Sequence, residues 1–542
     1  MPKLADFPFT DAKVVELAKE LPTPFHIYDE RTIREAVRGL NASMAWCPGF
    51  RNHFAVKATP NPYILQVLKE EGCGTDCSSI AELVLSEEMG FKAEEIMFTS
   101  NNTPIKEFKK AKQLGALVNL DDLSHVDFLH KEDGLPEMVS FRFNPGPGRT
   151  GNALIGDPKA AKFGCTTAQL LEGYKKCQDL GVKRFGLHAM VVSNCLKVDE
   201  LVETARMLFL LAVQIHEKLG IKMEMVNLGG GIGIPYLPGQ DVIDVASVGA
   251  GIHAVYQEII EAKGLAPMKV VMECGRYITG PAGFLVSRVV HRKRIYKNYV
   301  GVDACMANLM RPGMYDAYHH ITIIRDERDH PGLPSRTAPA ADNAADLITK
   351  EPVFDVVGGL CENNDKFAVD RPLDVEPFVG DIAIIHDAGA HGHSMGFQYN
   401  GKPRSAEYLH RLDGSVIEIR RAEDLGDIFC WTLTAPGPSA EAAARSPGSA
   451  APSRPRPGAT RGEDPPLARG YSQRTYGMLN TGRSSLRIGP DSVGSPCGLA
   501  RRRAKARFFK LRCGGAVAVG RMCLLCVRGG CVQAASTVLG ST

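Results

Sequence analysis

The sequence predicts an α/β protein that consists of a (β/α)8 barrel and a second, β-rich domain. From about residue 30 to residue 275, short apolar runs alternate with amphipathic stretches at helical spacing, as in repeated βα units around a parallel sheet. So many units within about 250 residues suit a closed barrel of eight strands. From residue 284 onward, strand-like runs follow one another without long helices, which indicates the β-rich domain.

The individual elements follow from these patterns in chain order. An amphipathic helix with Thr10 as its cap is expected near the N-terminus. Apolar runs predict barrel strands at residues 52–56, 95–99, 116–120, 139–143, 184–192, 223–228 and 270–272. Amphipathic periodicity predicts helices between them, for example at residues 64–71, 80–89 and 202–219. Further apolar runs predict strands of the β-rich domain at residues 300–303, 321–324, 354–357, 381–385 and 415–419.

The predicted domain boundaries lie where these patterns change. The barrel is expected at residues 30–280, and the β-rich domain at residues 1–29 and 281–432. Residues 326–350, rich in proline, alanine and charge, predict a long exposed loop. Residues 433–542 hold no persistent apolar period and predict a low-complexity basic tail that is disordered.

Two interpretations of the tail remain open. Its 17 Lys and Arg residues against 4 Asp and Glu residues fit a basic arm that binds nucleic acid or an anionic surface. However, fifteen of the 17 are arginine, and five cysteines are scattered through the tail without a structural pattern. These features favour sequence appended by a gene-model or read-through error.

Composition and charge exclude several functional classes for the rest of the chain. At 44% hydrophobic and 23% charged residues, the sequence has the balance of a soluble globular enzyme. Without the tail the net charge is −10, which gives no support to a nucleic-acid-binding core. No uncharged apolar run is long enough to span a bilayer. We therefore expect a small polar substrate and no membrane partner.

The cysteines indicate a reducing compartment. Ten of the fifteen precede residue 433, their spacing is irregular, and no signal peptide lies ahead of them, so we expect a cytoplasmic protein. Neither Cys73 with Cys77 nor Cys523 with Cys526 has a second Cys or His pair at zinc-site spacing. No metal site is predicted.

Three short motifs carry candidate chemistry. In HFAVKATPNP, Lys57 follows an apolar run, at the strand end where barrel enzymes place reactive groups; the alternative is a solvated lysine. In VNLGGGIGIPY, a glycine-rich loop follows another strand and could close backbone N–H groups on a phosphate; the alternative is a tight turn. In MECGRYITG, Glu273 emerges at a strand end just before Arg276. An amine, a phosphate cradle and an acid together match the needs of pyridoxal phosphate.

The chain resembles the fold-type III pyridoxal-phosphate-dependent decarboxylases, which are related to alanine racemase and ornithine decarboxylase, and within them it most resembles diaminopimelate decarboxylase. The similarity runs from FHIYDE near residue 25 to about residue 431. It implies an alanine racemase-like fold, pyridoxal 5'-phosphate as cofactor and a homodimer with shared active sites. The implied reaction is decarboxylation of meso-2,6-diaminopimelate to L-lysine, the last step of lysine biosynthesis.

The resemblance assigns roles to residues of the barrel. Lys57 in the FAVKA motif would hold the cofactor, and Glu273 would lie on its pyridine nitrogen. His188 matches the first histidine of the HxHIGS motif of the family. The phosphate would lie near a set of loop residues that comprises Gly229, Gly230, Gly231, Gly233, Gly275 and Arg276.

Further roles come from motifs of the β-rich domain. Arg311 and Tyr315 in RPGMY resemble the pair that grips the far carboxylate of the substrate. In GGLCENND, Cys361 and Glu362 stand where the family delivers a catalytic cysteine and an amine-binding acid across the dimer interface. The substrate would also meet Arg276 and Tyr399, the latter in the YNxxPR signature.

Three positions depart from the family motifs. Met190 in HAMVVSN replaces the histidine that is described as stacking on the cofactor ring. His391 replaces the tyrosine of DAGAY, a cofactor or substrate contact, and Cys274 replaces the proline of EPGR. A histidine at position 391 can still donate to phosphate, with a protonation state that depends on pH.

Other functions remain as alternatives. The same chemistry with another distal pocket would give a decarboxylase of a diamine precursor, such as carboxynorspermidine or ornithine. From a different class, the chain could be a catalytically silent cofactor-binding relative or a regulator of polyamine enzymes, in which Lys57 or Cys361 would be lost. Both residues are present.

Overall fold

The computed structural model describes residues 7–148, 159–325, 352–373, 375–430, 511–513 and 516–518. The predicted loop at 326–350 and most of the predicted tail at 433–542 lie outside these residues. The two described pieces of the tail, Leu511–Cys513 and Ala516–Ala518, are strands that pair antiparallel with each other. Within the described ranges, no helix combines the length and apolarity that a membrane crossing would need.

The described chain begins with helix α1 (Asp11–Glu20), strand β1 (Phe25–Asp29) and helix α2 (Glu30–Ser43). Thr10 caps α1, as predicted, because its hydroxyl accepts a hydrogen bond from the Lys13 N–H at 3.3 Å.

Eight parallel strands then close into a barrel. They are β2 (Arg51–Ala55), β3 (Gly74–Cys77), β4 (Ile96–Ser100), β5 (Leu117–Leu120), β6 (Met138–Phe143), β7 (Arg184–Ala189), β8 (Met225–Asn227) and β9 (Lys269–Met272). The helices between them are α3 (Pro62–Glu70), α4 (Ile80–Glu88), α5 (Ile105–Gln113), α6 (Ser124–Glu132), α7 (Thr167–Asp179), α8 (Val198–Leu219) and α9 (Val245–Tyr256). The predicted barrel is confirmed.

The apolar pattern predicts seven of these strands and misses β3. Its four residues, GTDC, include only one apolar side chain, yet all four are buried. Asp76 of this strand lines the cavity described below. The apolar pattern does not reveal β3, because one of its four residues is an acid whose side chain lines the cavity.

The remaining described elements are the strands of a second, mixed sheet and three short helices. They are α10 (Arg276–Thr279), β10 (Gly283–Arg294), β11 (Asn298–Val302), α11 (Arg311–Tyr315), β12 (Ile321–Ile324), β13 (Val353–Val357), β14 (Lys366–Pro372), β15 (Ile382–Ile385), β16 (Ala406–His410), β17 (Val416–Arg420) and α12 (Leu425–Phe429). The strand order is β14-β13-β11-β10-β1-β16-β17, and β15 pairs with β10 and β12. Because β1 pairs with both β10 and β16, the N-terminal strand belongs to this sheet. The β-rich domain is confirmed, whereas its boundaries stay a prediction.

Residues 56–61, here called the Lys57 loop, follow barrel strand β2. They form hydrogen bonds with the segment between β15 and β16. The Ala58 carbonyl accepts hydrogen bonds from the His391 N–H at 2.9 Å and the Ser394 hydroxyl at 3.2 Å. The Thr59 hydroxyl donates to the Gly389 carbonyl at 2.7 Å. The second sheet therefore fixes the backbone that follows the end of β2.

Glu407 of β16 anchors the end of the Lys57 loop. Its carboxylate accepts hydrogen bonds from the Tyr28 hydroxyl at 2.6 Å and the Asn61 amide at 3.1 Å, and it also pairs with Arg420. Burial alone would raise the pKa of Glu407, but His393, Arg420 and Tyr28 outweigh burial and lower it to about 2. The buried carboxylate is therefore ionised and satisfied at neutral pH.

We predict that the folded state loses stability as the pH falls below about 6.5. Burial, followed by nearby charge, lowers the pKa of His26 to about 3, and burial lowers that of His393 to about 4. Because the unfolded chain binds these protons first, the free energy of unfolding should fall by up to about 1.4 kcal/mol per pH unit for each histidine between pH 6.5 and 4. Urea unfolding at a series of pH values measures this slope.

His26→Asn should make that slope shallower, since an amide can still bond to the Ser405 hydroxyl, 3.2 Å from His26 Nδ1, without titrating. The exposed His130→Asn serves as the matched control and should keep the wild-type slope. An unchanged slope in His26→Asn would contradict the prediction.

Candidate active site

A cavity of about 440 Å³ lies at the carboxyl ends of the barrel strands. Its lining includes side chains that follow β2, β7 and β9 together with the segment after β15. The predicted site residues that the structure brings together there are Lys57, His188, Gly231, Glu273, Gly275, Arg276 and His391, and Met190 joins them.

Lys57 occupies a short 3-10 turn, Val56–Ala58, directly after β2. The residues on either side, Val56 and Ala58, are buried, whereas the Lys57 side chain is 53% exposed. Its Nζ lies 3.8 Å from Asp76 Oδ2. The backbone is therefore fixed while the amine stays free to react with a group in the cavity.

Glu273 follows β9 and is buried. Its Oε1 accepts a hydrogen bond from the Asn227 amide at 2.7 Å, and its Oε2 lies 3.3 Å from His188 Nε2. Burial opposes ionisation of Glu273, but His188, Lys57 and the Asn227 amide outweigh burial and lower its pKa. Glu273 is the ionised acid of the cavity.

Asp76 behaves in the opposite way. It is 1% exposed, and burial together with the charge of Glu273 raises its pKa well above the usual value. Its Oδ1 has no hydrogen-bond partner in the described chain. The pair thus holds one negative charge, on Glu273, and one neutral acid, on Asp76.

The glycine loop after β8 passes so close to other backbone that side chains cannot fit. A Cβ on Gly229 would lie 2.4 Å from the Ala189 carbonyl oxygen, and one on Gly231 would lie 2.4 Å from that of Val192. Both residues also have positive φ, +71° and +98°. Gly233 lies in the same loop, where its N–H donates to the Cys195 carbonyl at 2.8 Å.

Several donors in the cavity wall have no partner among the described residues. They include the Gly231 and Gly275 N–H groups, both on residues that line the cavity. The Gly230 N–H meets only the Met190 thioether sulfur, at 3.2 Å. Unpaired backbone donors of this kind form a cradle for an anion such as phosphate.

His188 and His391 add two imidazoles to this site. The Nε2 atom of the fully buried His188 faces Glu273, whereas its Nδ1 has no hydrogen-bond partner in the described chain. Burial, then Arg276 and Lys57, lowers the pKa of His391 to about 3, so its ring is neutral. An amine, an ionised acid, an N–H cradle and polar ring atoms without partners fit the aldehyde, pyridine nitrogen, phosphate and ring substituents of pyridoxal phosphate.

Of the predicted residues, Gly229, Gly230, Gly233 and Arg311 lie behind the cavity lining, and four others lie on the surface of the β-rich domain. Cys361 and Glu362 are exposed, and the side chains of Tyr315 and Tyr399 are 52% and 42% exposed. A hydrogen bond to Glu362 raises the pKa of Tyr399. We call these four residues the β-domain patch.

Sequence reasoning missed several residues that shape the site. Asn227 stabilises the charge of Glu273, Asp76 faces Glu273 as the second acid of the cavity, and Tyr236 accepts hydrogen bonds from both Arg276 and Arg311. Asn227 offered a signal, because it is a polar residue within an otherwise apolar strand. Asp76 and Tyr236 acquire their roles through contacts distant in sequence, which no local pattern indicates.

Comparisons with known proteins agree with this geometry. Residues 30–280 match the family model described as the pyridoxal binding domain of pyridoxal-dependent decarboxylases. The chain is 44% identical to the TabA protein of Pseudomonas amygdali pv. tabaci over 78% of this chain and 93% of that protein. It is 34% identical to the diaminopimelate decarboxylase of Methanothermobacter thermautotrophicus over 77% of this chain and 93% of the enzyme.

Solved structures are similar as well. The diaminopimelate decarboxylase of Methanocaldococcus jannaschii superimposes with a TM-score of 0.68 at 28% identity, over 78% of this chain and 94% of that one. The Helicobacter pylori enzyme in complex with L-lysine gives a TM-score of 0.65 at 26% identity, over 77% of this chain and 98% of that one. This chain therefore belongs to the fold-type III pyridoxal-phosphate-dependent decarboxylases, and its cofactor is pyridoxal phosphate.

Proposed function

We propose that this enzyme decarboxylates meso-diaminopimelate to give L-lysine. The observation that supports this substrate is a pair of arginines, Arg276 in the cavity wall and the 4% exposed Arg311. Both donate hydrogen bonds to the Tyr236 hydroxyl. Two guanidinium groups of this kind can hold a second carboxylate, at the far end of a diamino diacid. Ornithine has no such group.

The relatives support the reaction type more firmly than the substrate. Three of the proteins compared above are named diaminopimelate decarboxylases, and the one from Helicobacter pylori is in complex with L-lysine. TabA, whose name states no reaction, is more similar to this chain than the Methanothermobacter enzyme is. The arginine pair therefore carries the choice of substrate.

Each cavity residue has a distinct part in this reaction. When bound, pyridoxal phosphate would supply a conjugated, electron-withdrawing ring that accepts the electron pair left on the substrate carbon when carbon dioxide departs. Lys57 would hold the cofactor through its amine, and the ionised Glu273 would keep a proton on the pyridine nitrogen. The Gly229–Gly233 loop, with Gly275 and the neutral His391, would hold the phosphate, whereas Arg276 would serve the far carboxylate of the substrate.

The β-domain patch supports a homodimer with shared active sites. Cys361 and Glu362 lie outside the cavity of their own chain, next to the exposed Tyr399. In a dimer they would enter the cavity of the partner subunit, where the Cys361 thiol would deliver the proton that replaces carbon dioxide and Glu362 would bind the far amine. Tyr315, at the end of α11, would join them in lining that cavity.

We also propose that the enzyme is cytoplasmic.

The proposed function is tested directly by carbon dioxide release. Purified protein with pyridoxal phosphate should release carbon dioxide from meso-diaminopimelate and show at least tenfold lower kcat/KM for ornithine, lysine and arginine. Equal or better turnover of ornithine would overturn the substrate and favour a diamine-precursor decarboxylase.

Lys57→Ala should abolish both activity and covalent attachment of the cofactor. Borohydride reduction of the wild-type enzyme should leave a pyridoxyl group on the peptide that contains Lys57, as mass spectrometry can show. The exposed Lys293→Ala is the matched control and should keep activity and labelling. Labelling of another lysine in Lys57→Ala, with activity retained, would refute the assignment.

Mixing two inactive variants should restore activity if the site is shared. Lys57→Ala damages the barrel half of a site and Cys361→Ala damages the patch half, so a heterodimer would contain one intact site. We expect up to about a quarter of wild-type activity after subunit exchange, because half of the dimers are mixed and each has one good site.

Two controls make the mixing experiment decisive. Cys430→Ala, which removes another exposed thiol, should remain fully active alone. Lys57→Ala exchanged with itself should stay inactive. If native mass spectrometry shows mixed dimers and no activity returns, the shared-site proposal is wrong.

A further inference from the structure

Tyr236 joins the two arginines of the proposed substrate site. Its hydroxyl oxygen accepts a hydrogen bond from Arg276 Nη1 at 2.6 Å and another from Arg311 Nη1 at 2.9 Å. The guanidinium carbons also lie 5.7 Å and 4.7 Å from the centroid of its ring. Since Tyr236 is only 7% exposed, packing fixes its position. One buried side chain therefore sets the separation of both guanidinium groups.

The groups around this pair supply little negative charge. His319 Nδ1 bonds to the His386 carbonyl at 2.8 Å, which leaves Nε2 to accept from Arg311 Nη1, also at 2.8 Å. Burial, then Arg311, lowers the pKa of His319 to about 3, so its ring is neutral. Burial also raises the pKa of Asp387, the acid whose field reaches Arg311, to about 7, so this acid is only partly ionised at neutral pH.

The arginine pair is therefore short of negative charge. Within the part of the chain that the structure describes, no carboxylate lies within 4.0 Å of either guanidinium group. Two like charges held together are costly unless an anion joins them, all the more because Arg311 is buried. The arrangement is built for a ligand that carries one.

The Tyr236 hydroxyl has one donor left for such a ligand. A tyrosine hydroxyl has two acceptor positions and one proton. The two arginines occupy both acceptor positions, and no described residue accepts the proton. An anionic oxygen between the guanidinium groups would find three convergent donors.

We propose that Tyr236 is a specificity-determining residue that positions Arg276 and Arg311 around the far carboxylate of the amino-acid substrate. This inference rests on the proposed function and adds the residue that aligns the pair. Without the hydroxyl, the two guanidinium groups lose their common acceptor and repel each other. Recognition of the far carboxylate then weakens, while Lys57 and Glu273 keep their own contacts.

Tyr236→Phe tests this role, because it removes the hydroxyl and keeps the ring. Binding of L-lysine and of cadaverine to the holoenzyme, measured by calorimetry, isolates the carboxylate by which the two molecules differ. The wild type should prefer L-lysine, and the variant should lose about tenfold of that preference. Cadaverine affinity should change less than twofold. In turnover of meso-diaminopimelate, KM should rise about tenfold and kcat should change less than twofold.

The matched control is Tyr256→Phe, another buried tyrosine, whose hydroxyl bonds to the backbone of Met268 instead. It should lower the thermal midpoint and keep the wild-type preference for L-lysine.

The outcomes separate this inference from the proposed function. If the wild type binds L-lysine no better than cadaverine, recognition of a far carboxylate fails and both proposals fall. If the wild type discriminates and Tyr236→Phe discriminates equally well, the role of Tyr236 alone is overturned. Should Tyr236→Phe fail to fold, Tyr236→Met gives the same decision, since it also removes the common acceptor of Arg276 and Arg311. Full preference for L-lysine in that variant would overturn the positioning role.

Discussion

The attachment of the Lys57 loop to the second sheet is the constraint on which the rest of the structure depends. Lys57 stands at the end of a barrel strand, yet the next residues bond mainly to the segment between β15 and β17. Ionised Glu407 closes this contact by holding Asn61 at the start of α3. A barrel alone would leave the loop without these partners. The second sheet is therefore part of the machinery that places the amine, in addition to any role in substrate binding.

The cavity also depends on an unequal division of charge between two buried acids. Asp76 and Glu273 face the same space, where two negative charges would repel strongly in a medium of low polarity. Glu273 ionises because Asn227 and His188 stabilise its charge, whereas Asp76 has no comparable set of donors. The charge that can hold a protonated ring nitrogen is thus confined to the end of β9, next to the glycine loop, whose Gly229 carbonyl accepts a hydrogen bond from the Glu273 N–H at 2.8 Å.

The fold was predictable because strands and helices leave local patterns of apolar residues in the sequence. The site was only partly predictable, because some of its contacts join residues distant in sequence. Alternating strands and helices indicate the barrel, but β3 escapes because its buried residues are mostly polar. Lys57 and Glu273 could be found since each follows an apolar strand. Tyr236 could not, because its role exists only where α11 brings Arg311 next to Arg276. Cys361 could be named only by resemblance, because it lies exposed and away from the cavity of its own chain.

The balance of charge at the cavity explains why an anionic cofactor and an anionic substrate group can share it. Burial, followed by the charges of Arg276, Lys57 and Arg311, lowers the pKa of His391 to about 3. Part of this shift therefore reflects the positive charge that these three side chains bring to the cavity. A phosphate on the glycine loop and a carboxylate between the arginines would each offset part of this positive charge. Binding of either anion should therefore make the imidazole easier to protonate, so a histidine at position 391 can adapt its charge to the ligands as a tyrosine cannot.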